Sequence, residues 1–139
     1  DFGLDAAARA ENTKCPRYIS PQENALTLPV GEWKERSGGK SIWLNPPYGR
    51  GVGAWIDRAY REAQTGTTIV LLTFACTDTK WWQRAWRYAY EIRFITGRVK
   101  FVDPSSGKAG AAAPKGSAVI IFHHHGVEGD PFCRLMGMK

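Results

Sequence analysis

Apolar and polar positions fall into blocks of two kinds along this chain. Thr67 to Cys76 carries an unbroken, β-branched apolar run (Thr68-Ile69-Val70-Leu71-Leu72-Thr73-Phe74), the pattern of a strand buried on both faces. Ile42, Trp43 and Leu44 predict the end of a shorter buried strand, and Ser117 to Phe122 predicts another. Phe2-Gly-Leu-Asp reads as a strand at the start of the chain, followed by a small-residue turn over Ala6 to Ala8. Ile92 to Ile95 and Arg98 to Val102 read as short strands around Gly97. Two segments follow helical spacing instead. Trp55, Ile56, Ala59, Tyr60 and Ala63 form one stripe, with Gly66 as a stop signal. Trp82, Ala85, Trp86 and Ala89 form the other, over Lys80 to Tyr90, with Thr77 or Asp78 as its cap. Strand, helix, strand, helix and then strands predicts an α/β class: one domain built as a three-layer sheet, not a sandwich or a bundle.

The remainder is less patterned. Residues 11–40 show no sustained period, and Pro16, Pro21 and Pro29 cut them into short pieces. Ser37-Gly-Gly-Lys reads as a turn into the central strand. The alanine–glycine stretch at 107–113 is too small and flexible to pack, and is expected to lack structure. The tail after His123 is glycine-rich and shows no period.

Composition narrows the field. At 139 residues the chain suffices for one core but not for a separate recognition domain. A net charge of +6 and a pI near 9.4 favour a polyanionic partner. Three widely spaced cysteines with no C-x-x-C pair argue against a zinc site and against a disulfide framework, and Cys76 reads as a small core residue. No apolar run is long enough to span a bilayer and no signal peptide opens the chain, so the cytoplasm is the expected location. His123-His124-His125 does not predict a metal site, because consecutive strand residues point to alternate faces. The zinc deaminase signature and the phosphate-binding G-x-x-x-x-G-K-[ST] loop are both missing from the sequence.

The stretch that carries chemistry is Asn45-Pro46-Pro47-Tyr48. Two prolines stop the strand ladder and fix φ, and Gly49, Gly51 and Gly53 make the next segment permissive. A stiff turn at the carboxyl end of a strand results, where open α/β sheets bind ligands. It holds out a carboxamide that can accept from an exocyclic amine and a ring that can stack on a base. A rigid strand-to-helix turn with no ligand is the alternative on local grounds. Asp5 admits two readings also, a partner for a cationic amine or a turn cap. Lys80, Arg84 and Arg87 with Trp81, Trp82 and Trp86 could be phosphate contacts and wedges. For the tryptophans the preferred reading is core packing, with the cations in water.

Asn45-Pro-Pro-Tyr resembles the catalytic motif of amino-group methyltransferases. Phe2-Gly-Leu-Asp-Ala-Ala-Ala, Asn12-Thr-Lys-Cys-Pro-Arg-Tyr, Thr77-Asp-Thr-Lys-Trp, Arg93-Phe-Ile-Thr-Gly-Arg-Val-Lys-Phe and Pro114-Lys-Gly-Ser-Ala-Val-Ile-Ile-Phe accompany it in order. Together they resemble the phage-type DNA N6-adenine methyltransferases (Dam-like) from Phe2 to about Phe122, leaving 123–139 as a tail. The resemblance implies a Rossmann-like methyltransferase domain over residues 1–139, with S-adenosylmethionine as cofactor and N6 of a flipped adenine in double-stranded DNA as target. It implies that the Asn45 side chain and the Pro46 carbonyl accept the amine hydrogens, with Pro47 completing the turn and Tyr48 stacking on the base. It puts Asp5 and Ala6 at the methionine end of the cofactor, and Glu23 and Asn24 near its adenosine half. Arg50, Lys80, Arg98, Lys100 and Lys115, with Lys108, become the expected DNA contacts. Ala6-Ala-Ala lacks the glycine-rich loop of larger methyltransferases, and the family carries residues ahead of Phe2, so a truncated or renumbered start is expected. No membrane or metal partner is expected, and the compartment would be that of a bacterial or phage-infected host cell. The same chemistry on an RNA base or a protein glutamine, and a catalytically silent nucleic-acid-binding relative, are the alternatives. Low sequence specificity is expected from the lack of a visible recognition domain.

Overall fold

A computed structural model describes residues 1–124 and 131–137. The element order is β1 (Phe2–Asp5), α1 (Glu32–Ser37), β2 (Ser41–Leu44), α2 (Val52–Ala63), β3 (Ile69–Phe74), α3 (Lys80–Tyr88), β4 (Glu91–Ile95), β5 (Lys100–Val102), β6 (Ala109–Ala112), β7 (Ser117–Phe122) and β8 (Phe132–Met136). Six strands form one mixed sheet in the order β1-β2-β3-β7-β4-β8, and β5 pairs with β6 in a separate hairpin. β1, β2 and β3 are mutually parallel, while β7 runs against both β3 and β4. β4 therefore points the same way as β3. The carboxyl ends of β1, β2, β3 and β4 share one edge of the sheet, and the loops after all four open there.

Alternation along the strands sorts the faces. Ile42, Ile69, Phe122, Leu44, Leu71, Ile120 and Ile92 lie opposite one another in the register and are fully buried. The three helices pack on this face. Trp33 of α1 and Ile56 and Ala59 of α2 join the same core as Trp82 and Ala85 of α3. On the opposite face Trp43, Val70 and Ile121 form a row that is only partly buried, and no described helix covers it. The expected three layers are thus two among the described elements: the unbroken apolar run of β3 is covered by helices on one side only.

A buried ion pair ties the irregular segment before α1 to α2. Arg58 donates to the carbonyls of Leu28 at 2.5 Å and Pro29 at 3.0 Å, and its guanidinium lies 4.7 Å from the centre of the Trp33 ring. Glu62, paired with Arg58 at 3.2 Å, accepts from the backbone N–H groups of Gly31 and Lys34, each at 3.0 Å. Those are donors of the first turn of α1, which have no partner inside the helix, so a carboxylate from the neighbouring helix acts as the cap.

Several elements differ from the sequence reading. α1 was hidden in the unpatterned region because six residues carry less than two turns of periodicity. α2 begins at Val52, ahead of Trp55, because Gly51 and Gly53 do not prevent helix formation. The cap of α3 is Thr79, whose hydroxyl accepts from the Trp82 N–H at 3.2 Å, in place of Thr77 or Asp78. The alanine–glycine stretch is not structureless: Ala109–Ala112 is β6, held by backbone pairing to β5 that needs no side-chain pattern. The tail contains β8, laid parallel to β4. His125 lies outside the described residues.

Candidate active site

The loops at the shared sheet edge enclose two clefts, and the turn after β2 stands between them. The first, about 390 Å³, is lined by Ala6 to Arg9 and Asn12 after β1, by Ser20, Pro21 and Asn24, by Trp55 of α2, and by Asn45, Pro46 and Pro47. The second, about 550 Å³, is lined by Tyr48 to Arg50, by Val52 of α2, by Thr73, Phe74 and Cys76 at and just after the end of β3, by Thr79 and Trp81 at the start of α3, and by Lys115. Four consecutive residues thus present their first three members to one cleft and the fourth to the other.

The turn is stiff for a physical reason. Pro46 is buried, neither proline can donate to the sheet, and Gly49 takes φ 127, a conformation L side chains rarely adopt. The Tyr48 hydroxyl donates to Asn45 Oδ1 at 2.7 Å, which fixes the orientation of the carboxamide. A carbonyl oxygen has a second lone pair, so Asn45 can accept one further hydrogen from a ligand. The Tyr48 ring packs 4.4 Å from Phe74 and 6.1 Å from Phe101, and burial pushes its phenol up to about 12. The hydroxyl of Thr73, on the wall of the same cleft, is buried with no hydrogen-bond partner. An orphan of this kind at a cleft wall is a ready partner for a polar ligand.

Asp5 is 2% exposed and is not on the surface of the first cleft. Its carboxylate accepts from the backbone N–H of Lys14 at 2.9 Å and of Ala7 at 3.3 Å. Its backbone bridges to Tyr18 and bonds with Arg17 and Ile19. Asp5 therefore anchors both stretches that line the cleft, 6–12 and 19–25. Burial raises its pKa, and the N–H groups of Lys14 and Ala7 pull the other way. Ala6 and Asn24 do line the cleft, and Asn24 has φ 52, a left-handed conformation in which asparagine is favoured over most residues. Glu23 is bound to Arg36 at 2.7 Å and to Ser20 N at 3.1 Å, and the Arg36 contact holds its carboxyl below the usual range.

The basic residues divide. Arg50 and Lys115 line the second cleft, with Lys115 donating to the Cys76 sulfur at 3.7 Å. Cys76 is thus half-buried at a cleft wall, not a core residue. Lys80 is exposed between Thr79 and Trp81, which both line that cleft. Arg98 donates to the Ala113 carbonyl at 3.4 Å, and Lys100 and Lys108 are exposed on the β5–β6 hairpin. Arg84 is paired with Asp57 of α2 at 3.0 Å, and Trp82 is in the core. Sequence reasoning missed Trp55, Phe74 and Phe101 as site residues, although Phe74 sits at the carboxyl end of the strand beside the Asn45 turn. Among the described residues no group of three or more His, Cys, Asp or Glu side chains could hold a metal ion, and no helix is long and apolar enough to cross a membrane.

With this geometry in place, the comparisons with known proteins are informative. The family described as DNA N-6-adenine-methyltransferase (Dam) matches residues 1–131. A DNA N-6-adenine-methyltransferase of Haemophilus phage HP1 (strain HP1c1) is 30% identical over 122 residues, covering 87% of this chain and 66% of the relative. One of Escherichia phage T1 is 30% identical over 135 residues, covering 86% of this chain and 54% of the relative. The chain spans just under two thirds of one curated relative and about half of the other.

Proposed function

The chain belongs to the DNA N-6-adenine-methyltransferase (Dam) family, and from that premise we propose that it transfers a methyl group from S-adenosylmethionine to N6 of an adenine in double-stranded DNA. The observation that carries the reading is the position of the Asn45–Tyr48 turn between two clefts. A methyl donor and a methyl acceptor must meet at one place, and this turn lines both clefts within four consecutive residues, with α2 alongside it giving Trp55 to the first and Val52 to the second. The mixed sheet, with one reversed strand among parallel ones, fits a Rossmann-like methyltransferase domain.

The first cleft suits the donor. Its floor, Ala6 to Ala8, carries nothing larger than a methyl group, and Trp55, Asn12, Ser20 and Asn24 offer an aromatic wall and polar atoms around it. S-adenosylmethionine held there would supply an electrophilic methyl on a cationic sulfur; transfer to the adenine nitrogen would leave a neutral thioether and release one amine proton. Asn45 and Pro46 act on the other partner. Adenine N6 is a weak nucleophile because its lone pair is delocalised into the ring. Two acceptors, the free lone pair of Asn45 Oδ1 and the Pro46 carbonyl, would hold its hydrogens and turn the lone pair out of the ring plane. Pro47 keeps the two acceptors at fixed spacing.

The second cleft suits the base. Tyr48 and Phe74, with Phe101 at the rim, offer ring faces, each base–aromatic contact being worth about 1–3 kcal/mol. A paired adenine cannot present its amine there, so the base must leave the stack. Arg50 and Lys115 line this cleft, and together with Lys80, Arg98 and Lys100 they would take the phosphates. Asp5 serves the donor side by holding the Ala6–Asn12 loop, with Ala6 and Asn24 at the cleft surface and Glu23 bracing its rim. The reading places the protein in the cytoplasm of a bacterial or phage-infected cell, where such DNA is found. The test is incubation with methyl-labelled S-adenosylmethionine and unmethylated duplex DNA, digestion to nucleosides and mass spectrometry. N6-methyladenine is the expected product. Label in RNA or in protein glutamine, with none in DNA, would overturn the substrate.

A further inference from the structure

The β5–β6 hairpin stands apart from the rest of the domain. All of its strand residues are exposed, and it forms its own two-stranded sheet. Its strands contact each other far more than they contact any other element. Yet it carries two of the three exposed large apolar side chains among the described residues, Phe101 at 37% and Val102 at 59% exposure. Neither contributes to the buried core.

The two side chains have different surroundings. Phe101 reaches the Tyr48 ring, and adjacent strand residues alternate, so Val102 faces the other way. The opposing strand is Ala109-Gly110-Ala111-Ala112, with nothing larger than a methyl, and an added Cβ at Gly110 would sit 3.2 Å from the Phe101 carbonyl. The hairpin is therefore thin at the level of Val102. A register shift between Lys100 and Val102 adds local twist.

Charge identifies the partner. Arg98, Lys100, Lys108 and Lys115 are the cations between residues 98 and 116, and Asp103 is the one acidic residue. The Asp103 carboxylate is occupied at the hairpin tip by the N–H and hydroxyl of Ser105, at 2.8 and 2.7 Å. An exposed aliphatic side chain on a thin, cationic arm beside a base-sized cleft matches a ligand that is polyanionic outside and stacked inside, which is duplex DNA.

We propose that the β5–β6 hairpin is the arm that opens the duplex, with Val102 filling the gap in the base stack when the target adenine rotates toward Tyr48, and Lys100 and Lys108 holding flanking phosphates. This rests on the adenine-transfer reading above. It assigns the wedge to the hairpin and not to the tryptophans of α3, since Trp82 is buried in the core and Trp81 and Trp86 are partly buried and packed against it, whereas Val102 is 59% exposed. Val102 belongs to duplex opening and touches no reacting atom.

The test compares one methylated site, found with the wild-type protein, in two duplexes. In the first the target adenine pairs with thymine; in the second it faces an abasic position and is already unpaired. Val102→Ala should lower transfer to the paired adenine by roughly tenfold or more and to the unpaired adenine by less than about twofold, because unstacking is the step it assists. Val102→Leu should restore transfer to the paired adenine. Equal losses on both duplexes, or no loss on either, would overturn the wedge while leaving the transfer reading intact. Failure to find any methylated adenine with the wild-type protein in the first place would instead sink the transfer reading, and the wedge with it. Circular dichroism on the variants guards against misfolding, which is not expected at so exposed a position.

Discussion

Tyr48 donates its hydroxyl hydrogen to Asn45 Oδ1 at 2.7 Å, across the two prolines that separate them. The bond links the residue that would stack on a base to the residue that would accept its amine hydrogen, so stacking and alignment become one event. Tyr48→Phe keeps the ring against Phe74 and loses only the anchor. A neutral hydrogen bond contributes about 0.5–1.5 kcal/mol, so transfer should fall by about 2- to 10-fold with the fold unchanged. Tyr48→Ala removes the ring as well and should cost a further 1–3 kcal/mol or so in DNA-side binding. Steady-state kinetics on the two variants separates the contributions.

The same phenol sets a pH expectation. Burial pushes Tyr48 from 10.0 up to about 12. Between those values an unfolded chain would ionise this group while the folded chain keeps its proton. The folded state binds more protons there, so its stability falls as pH rises through that window. Below pH 10 the hydroxyl stays a donor to Asn45. Transfer by wild type and Tyr48→Phe should therefore show parallel pH profiles from pH 7 to 9.5; a basic limb present only in wild type would contradict this.

Asp5 gives another prediction. Both carboxylate oxygens accept backbone N–H groups, from Ala7 and from Lys14. Asp5→Asn has one acceptor oxygen for two donors and would aim an amide N–H at the other. The unmet donor should cost about 1–3 kcal/mol of stability. Because the loop lines the first cleft, the proposed donor site, S-adenosylmethionine binding should weaken as well. Burial raises this carboxyl, so the wild-type folded state binds more protons than the unfolded chain between the ordinary carboxylate range and the raised value. The contribution of Asp5 to stability falls as pH rises through that window and is constant above it. Asp5→Asn should lack this pH dependence, which denaturation curves at acid and neutral pH would reveal.

The Arg58–Glu62 pair gives one more. Glu62 is fully buried and caps α1, and Arg58 holds three carbonyls of the segment that leads to it. Glu62→Ala strands a buried cation and uncaps α1, a change expected to cost about 3–5 kcal/mol. Urea denaturation measures it. A cost below about 1 kcal/mol would mean that water or a shifted side chain replaces the carboxylate.

How much of this was legible in the sequence depends on how local the signal is. β3 and β7 announce themselves because a strand in the sheet interior is apolar from end to end. The Asn45–Tyr48 turn is equally plain, since prolines and glycines act within a few residues. α1 was not legible: it is short, and its cap comes from Glu62, far along the chain. β6 is held by backbone bonds that alanine and glycine do not advertise, and β8 by the free edge of β4. That no described helix covers the second face could not be read, because the half-buried row of Trp43, Val70 and Ile121 is as apolar as a covered one. At the site, the sequence left Asp5 as either a partner for a cationic amine or a turn cap, and only the fold shows its carboxylate beneath the cleft, accepting from the Ala7 and Lys14 N–H groups. Only the fold reveals that residues from 19–25 line the first cleft together with Asn45, and that Phe101 comes to Tyr48.

The most direct measurement is Asn45→Ala assayed three ways: methyl transfer to adenine in duplex DNA, DNA affinity at fixed salt, and calorimetric binding of S-adenosylmethionine. The account predicts that transfer falls by roughly 100-fold or more, in the range seen when a single oxyanion-type hydrogen-bond partner is removed. DNA and donor affinities should stay within about tenfold of wild type, one lost neutral hydrogen bond being worth about 0.5–1.5 kcal/mol. An Asn45→Ala protein that methylates adenine as fast as wild type would contradict the account, because the turn between the two clefts would then not be where the methyl group moves.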